Sequence, residues 1–409
     1  MAINTGVRTS FTDRTNTVKD NIDDRLDFLT PTELPFLNYL GFMSDAGGAT
    51  GGANSLSFPC TQQRHNWLND DLIPSVSLVA TAYTAAGGSL VITTGEGGRF
   101  DDEDVIMVAP GGANANHAVM YALVTNVTTD TLTISELEST GVNCAVGDIV
   151  YLLGNARVEG TAASVITART VDFGSTENFT QIFMAKVDIA GSDQSTERWG
   201  MREDPVDYQV TKRLKELAIQ LERVALYSIR NATYPSTNST RHYMGGLAYF
   251  IRDNATNQTN GLSADAAGAD LDEVLLNNVL EDVWDQGGMP DTIMVSARQK
   301  RMIDSFLVPS VRTTRTEGTA GVIVGAYESN FGTLDVVLNR WIDPSDLIIC
   351  TREYLGLGPL AGNGNSRAFF AEDLPKDGDY ERKKIIGEYT MEVRNNTKAH
   401  GWIRNLSRS

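Results

Sequence analysis

Between residues 204 and 230 the chain has little choice of local structure. Asp204 can cap a helix whose first residue is Pro205, where a missing N–H and a fixed φ do no harm. Val210, Leu214, Leu217, Leu221 and Val224 follow at spacings of four, three, four and three, the apolar stripe of an α-helix. Running to about Arg230, the helix would be roughly 39 Å long, and so narrow a stripe calls for a sheet or partner beneath it. Lys212, Arg213, Lys215, Glu216, Glu222 and Arg223 fall on the other faces, which predicts a solvated or inter-subunit surface. The role expected of this helix is structural. Asn231 and Pro235 end it.

Before the helix, residues 82–160 read as short strands: 89–92, 105–108, 118–127, 131–134 and 148–152, separated by Gly, Asn and Asp turns. Strands at this spacing predict a small antiparallel barrel or sandwich. Residues 85–165 hold ten acidic residues against Arg99 and Arg157 and no lysine, nearly half of the chain's net charge of −18. Such a segment is expected to face solvent. The run Asp101-Asp102-Glu103-Asp104 invites calcium or magnesium. In an extended run, however, side chains alternate between faces, so a charged lip before a strand is the favoured reading.

After Asp265 the pattern becomes mixed α/β. Asp270 with Glu273 predicts a capping box for a helix through Leu271, Val274, Leu275, Val279 and Val283, closed by Gly287 and Gly288. A strand at 292–295, a helix at 298–306, a hairpin of 322–327 with 333–338, and strands at 346–350 and 383–393 follow. At the other end, a weak helical pattern over 18–29 is broken by Pro31 and Pro35 and reads as a flexible arm. Residues 35–40 form an apolar anchor, and the glycine-rich stretch 47–52 suits a bend. That stretch lacks the Gly-Lys-Ser/Thr ending of a phosphate loop.

Reactive chemistry is not indicated. Cys60, Cys144 and Cys350 lie far apart and read as buried free thiols. His65, His117, His242 and His400 show no metal-ligand spacing, and no nucleophile elbow, kinase signature or dinucleotide fingerprint is present. Asp101 with Glu103, or Asp343 with Asp346, could be paired as acid and base, although spacing alone cannot fix their geometry. No catalytic, cofactor-binding or metal-binding residue is therefore predicted. A length of 409 residues predicts two or three modules. No apolar stretch approaches the roughly 20 residues of a membrane span, and Arg8 has no apolar run behind it, so synthesis in the cytoplasm is expected. The net charge of −18 opposes tight binding of nucleic acid. Arg298, Lys300, Arg301, Arg312 and Arg315 make one locally positive stretch, read as a solvated helix face in preference to a contact with a polyanion.

The run from Gly325 to Trp341, with Lys376 to Asp379 and Glu388 to Asn395, resembles the major head (capsid) proteins of tailed bacteriophages in the Hong Kong 97 lineage. Residues 178–183, 217–227, Asp148 and Glu159-Gly160 add to the likeness, which runs from about Pro35 to the end. The resemblance implies an α+β, L-shaped subunit: a peripheral domain with a long spine helix, an axial domain and an extended loop, here with an inserted small antiparallel β domain. It divides the chain into an N-terminal arm and anchor (1–59), an extended loop region with the acidic β insertion at about 82–160 (60–187), the spine helix (188–242), an axial domain (243–342) and a return to the peripheral sheet (343–409).

The function implied is self-assembly of pentamers and hexamers into an icosahedral or prolate shell around double-stranded DNA. A scaffolding protein, a portal and an optional decoration protein would be partners, DNA only by weak non-specific contact, and no membrane. The virion is the expected location, with assembly in the bacterial cytoplasm. No helical scaffold segment or protease site is evident at the N-terminus, so a separate scaffolding protein is expected, and covalent cross-linking has no basis. The alternatives are a β-rich decoration or tail protein and a carboxylate-dependent hydrolase. Trp67, Trp199 and Trp341, near Arg64, Arg198 and Arg340, are candidate interface anchors, with core packing the competing explanation.

Overall fold

The computed structural model describes residues 31–41, 58, 60–84, 89–111, 118–138, 141–162, 166–196, 204–231, 241–252, 263–306 and 325–408. The helical pattern of 18–29, the bend at 47–52, His117, Arg198, Trp199, Arg312 and Arg315 lie outside them. The chain divides into two units, one of Met1–Trp67 with Ser175–Ser409 and one of Leu68–Gly174. The first begins with α1 (Pro35–Tyr39) and β1 (Arg64–Asn69). The second carries β2 (Val76–Thr81), β3 (Ser89–Ile92), β4 (Asp104–Ala109), β5 (Met120–Thr128), β6 (Thr131–Glu136) and β7 (Ile149–Asn155). The first resumes with β8 (Gly174–Phe179), β9 (Gln181–Ala190), α2 (Gly191–Gln194), α3 (Pro205–Tyr227), α4 (Leu247–Ile251) and β10 (Ser263–Asp265). Then come α5 (Glu273–Asp285), β11 (Thr292–Val295), α6 (Ala297–Phe306), β12 (Ala326–Ser329), β13 (Gly332–Leu338) and β14 (Leu347–Cys350). The last strands are β15 (Leu355–Pro359), β16 (Phe370–Asp373), β17 (Tyr380–Val393) and β18 (Gly401–Arg404). Among the described residues no helix is long and apolar enough to cross a membrane.

The unit Leu68–Gly174 is a closed six-stranded barrel in the order β2-β3-β6-β5-β4-β7. Leu90, Ile92, Ile106, Met120 and Leu132 fill it. The strands expected from sequence are present, joined by β2, which sequence reasoning missed. On β2 the inward residues are Ser77 and Val79, while Val76 and Leu78 point out, so polar and apolar residues do not alternate with the faces. Ser77 is tolerated inside because its hydroxyl donates to Glu96 at 2.6 Å.

The charged lip needs correction. Asp102 and Glu103 form a turn, with Glu103 at φ +66°, and Asp101 and Asp104 are buried. Arg157 donates to Asp101 at 2.8 Å and lies 3.4 Å from Glu103, while Arg169 lies 3.4 Å from Asp104. Asp104 also accepts from the Asp101 backbone N–H at 2.7 Å, closing the turn. Asp148 is likewise buried and accepts from the N–H groups of Gly111 (3.1 Å) and Ala145 (2.6 Å). The expectation that this acidic segment faces solvent thus fails for three of its carboxylates, because turns at the barrel ends leave N–H groups that need acceptors.

In the other unit α3 is the predicted long helix, with Asp204 accepting from Val206 N–H at 2.8 Å; it ends at Tyr227, three residues early. Leu217, Leu221 and Leu226 are buried, Leu214 is exposed, and Glu222, expected on a solvated face, is buried. A six-stranded mixed sheet runs β10-β18-β14-β11-β13-β12. One face, with Ile293, Val295, Leu347 and Ile349, packs with residues of α5 and α6. Its other face, with Met294, Ile348 and Trp402, shares one core with α1, α3 and α4. β17 is the centre of a four-stranded sheet, pairing with β15 and β16 along one edge and with β9 along the other. β1 and β8 form a two-stranded sheet.

Two local expectations change. The strand 347–350 does not complete the sheet of β17; it lies between β11 and β18, where both of its apolar faces are covered. Asp272, and not Asp270, caps α5 by accepting from Glu273 N–H at 2.8 Å, whereas Asp270 pairs with Arg298 at 2.8 Å. Gly287, at φ +87°, closes that helix as expected.

Candidate functional site

The segment 33–40 is tied to the body of the protein by a buried carboxylate. Pro35 at the first position of α1 leaves the N–H groups of Phe36 and Leu37 without partners in the helix, and Leu34 offers no capping side chain. Glu222, on the buried face of α3, supplies both acceptors. Its Oε1 accepts from Phe36 N–H and from Asn339 Nδ2, and its Oε2 accepts from Leu37 N–H, each at 2.8 Å. Burial pushes the Glu222 carboxyl above the usual range, against the pull of these three donors.

Further bonds hold the same segment. Trp341 donates its indole N–H to Glu33 O at 2.8 Å, its ring lies under the Arg223 guanidinium at 4.4 Å, and Arg340 pairs with Glu33 at 3.0 Å. Tyr39 donates to Asp291 at 2.7 Å. Phe36, Leu37 and Leu40 are fully buried against α3 and α4. The apolar anchor read at 35–40 is therefore a docked strap.

A second polar seam joins the sequence runs that carried the family resemblance. Asn178 uses both ends of its amide: Nδ2 donates to Gly245 O (3.0 Å) and Met391 O (2.7 Å), and Oδ1 accepts from Gly245 N–H (2.8 Å). Thr180 donates to Glu388 at 2.6 Å, and Arg367 pairs with the same carboxylate at 2.8 Å. His65 lies 3.3 Å from Glu392, which Arg394 also holds. Burial opposes the His65 charge, but hydrogen bonds with Cys60 and Glu392 outweigh it and raise the imidazole to about 9. His400 is the opposite case: fully buried, it is pushed down to about 4, with Nδ1 accepting from Thr351 N–H at 3.3 Å.

The carboxylates considered as acid and base are committed elsewhere. Asp343 accepts from Arg408 at 2.9 Å through each oxygen and from the Ser345 N–H and hydroxyl at 2.9 and 2.6 Å. Asp346 is pushed up to about 6, mainly by burial, with Asp343 adding repulsion and a Tyr227 hydrogen bond opposing. Asp101 and Glu103 both face Arg157. Cys60, Cys144 and Cys350 are buried free thiols, and among the described residues no three His, Cys, Asp or Glu side chains are grouped to hold a metal. Trp67 is a core residue, edge-on to Phe250 at 5.6 Å, and Arg64 pairs with Glu177. Sequence reasoning missed Glu222; its one signal was a carboxylate flanked by Leu221 and Ala225 on the apolar stripe.

The SU10 major capsid protein family matches residues 3–407. Among solved structures, the capsid asymmetric unit of Cyanophage A-1(L) is similar with a TM-score of 0.55 and 12% identity, over 98% of this chain and 100% of that one. Microbacterium phage Oxtober96 gives a TM-score of 0.43 at 12% identity, over 97% and 98% of the two chains. The SrpI encapsulin of Synechococcus elongatus PCC 7942 gives 0.40 at 9% identity, over 58% and 78%. No curated protein matches the chain. At 12% identity the likeness to the cyanophage capsid is one of fold. The family match overturns both the decoration- or tail-protein and the hydrolase alternatives. Matched along all but two residues at each end, the chain belongs to the SU10 major capsid protein family, and is a structural protein that forms the phage head shell.

Proposed function

We propose that the chain closes rings of five and six copies by head-to-tail contacts, and that these rings join into an icosahedral or prolate shell around double-stranded DNA. The observation that carries this reading is one core shared by two sheets: Met294, Ile348 and Trp402 from the six-stranded sheet, and Tyr389 and Met391 from the four-stranded one, pack with α3. A body braced in this way can pass load between contacts at different edges. On this reading the six-stranded sheet with α5 and α6 is the axial portion, and it takes β14 and β18 from the stretch 343–409. The peripheral portion is α3 as spine helix with β9 and β15 to β17. Residues 60–187 are the extended loop region carrying the barrel, and 1–59 the arm and anchor.

The proposed partners are other copies of the chain, a scaffolding protein during assembly in the bacterial cytoplasm, a portal and an optional decoration protein, with no membrane. DNA contact is weak and non-specific, as the charge of −18 favours. No catalytic, cofactor or metal site is assigned. Electron microscopy of the chain, purified alone and after co-expression with a scaffolding protein, tests the proposal: hollow closed particles with five- and six-membered rings are expected, and a chain that exceeds a dimer under neither condition defeats it. Nanomolar, salt-sensitive DNA binding by the subunit would defeat the DNA part alone.

A further inference from the structure

The outside of the barrel is divided by chemistry. On β3 and β6 the outward positions include Ser89, Thr131, Thr133 and Ser135. On the neighbouring strands β2, β7, β4 and β5, every outward position within the paired stretch is apolar or tyrosine. The ladders align Val76, Tyr151, Met107 and Tyr121 in one row across all four strands, with Leu78 and Ile149 paired beside it. None of these six belongs to the barrel core, and Leu78 is 47% exposed. An outward ladder on a small barrel is ordinarily polar, because water covers it.

Four strands at about 4.8 Å spacing and two or three outward positions along each make a face of roughly 300 Å². That is less than half of the roughly 800 Å² per partner that a stable pair buries, so the face cannot hold an isolated dimer. It can contribute where the same contact is repeated around a shell, as multivalent binding allows. Charge points to the same occupant. The unit has thirteen acidic residues, three arginines and no lysine, yet the six side chains of the face are uncharged, and Arg99, which donates to Val76 O at 2.6 Å at its border, is paired with Glu96 at 2.8 Å. Another acidic copy can therefore meet it without burying carboxylates, whereas a basic partner finds nothing there to pair with. We infer that in the head shell the β2–β7–β4–β5 face of each barrel is buried against a second copy of this chain. The inference rests on the shell function and adds a surface to it.

Tyr151→Cys in the full-length chain, whose native cysteines are buried, provides the test. The thiol is reacted with a maleimide in free subunits and in shells assembled from this chain alone. Rapid labelling in the subunit and at least about tenfold slower labelling in the shell is the expected result. Equal rates overturn the inference and leave the face to a different protein; protection already present in the free subunit overturns it by showing that the chain covers its own face. Met107→Glu points outward and is expected to leave the subunit's melting unchanged while reducing closed particles about tenfold. A normal particle yield from this variant also overturns the inference. If the unmodified chain forms no particles, with or without a scaffolding protein, the ring-closing proposal fails and the inference with it, an outcome distinct from equal labelling in closed particles.

Discussion

The backbone N–H of Phe36 donates to Oε1 of Glu222 at 2.8 Å across 186 positions of sequence. Together with Leu37 and Asn339 it makes a buried, uncharged donor set for a carboxylate on the long helix. Replacing Glu222 with Ala strands all three donors in the core and should cost at least about 3 kcal/mol. Glu222→Gln should cost less, since its oxygen still accepts from Phe36 and Asn339. Urea unfolding of the subunit measures both, and an unchanged midpoint for Glu222→Ala would show that these three bonds do not hold the strap to the long helix.

Asp346 links stability to acid pH. Its carboxyl rises from 3.8 to about 6 in the fold, chiefly through burial, so folding favours the protonated form. The contribution is fully present below pH 3.8 and lost as pH rises through about 6. Asp346→Asn should therefore gain stability relative to wild type across that window, by at most about 3 kcal/mol. Parallel pH titrations of unfolding that keep a constant difference would contradict this.

His65 acts in the alkaline range. Its imidazole rises from 6.5 to about 9, so the stabilisation is complete below pH 6.5 and disappears as pH passes about 9. The wild type should lose stability relative to His65→Gln between those values. A flat difference from pH 6 to 10, measured by thermal melting, would show that the Cys60 and Glu392 contacts do not hold the charged ring.

Gly97 has no room for a side chain. A Cβ there would lie 1.5 Å from Thr129 O, while Asp130 Oδ1 accepts from both Gly95 (2.9 Å) and Gly97 (3.2 Å) N–H groups. Gly97→Ala must break this turn and should cost more than about 3 kcal/mol. Hydrogen exchange across 89–136 should accelerate, and native-like protection there would refute the steric reading.

The elements legible in the sequence were those whose signals are local. α3 followed from Asp204, Pro205 and a leucine-valine stripe, and the barrel strands from β-branched runs between turns. What escaped was set by partners distant in sequence. Ser77 is buried on β2 because Glu96 receives its hydroxyl, and Glu222 because α1 needs a cap. Nothing within a few residues of either reveals that partner.

Allocation of strands to sheets shows the same limit. Leu347 to Cys350 is plainly a buried strand, yet its apolar run fits either sheet, and only pairing with Thr292 to Val295 on one side and Gly401 to Ile403 on the other decides which. The sequence by itself determined the long capped helix, the acidic barrel strands and the apolar strap at 35–40, since periodicity, capping and turn chemistry act over a few residues. The tertiary structure alone decided where buried carboxylates find their donors, which strands share a sheet and which side of the barrel stays uncharged. Those outcomes depend on the cost of leaving a buried polar group or a strand edge unpaired, and that cost is set by whatever the fold brings alongside.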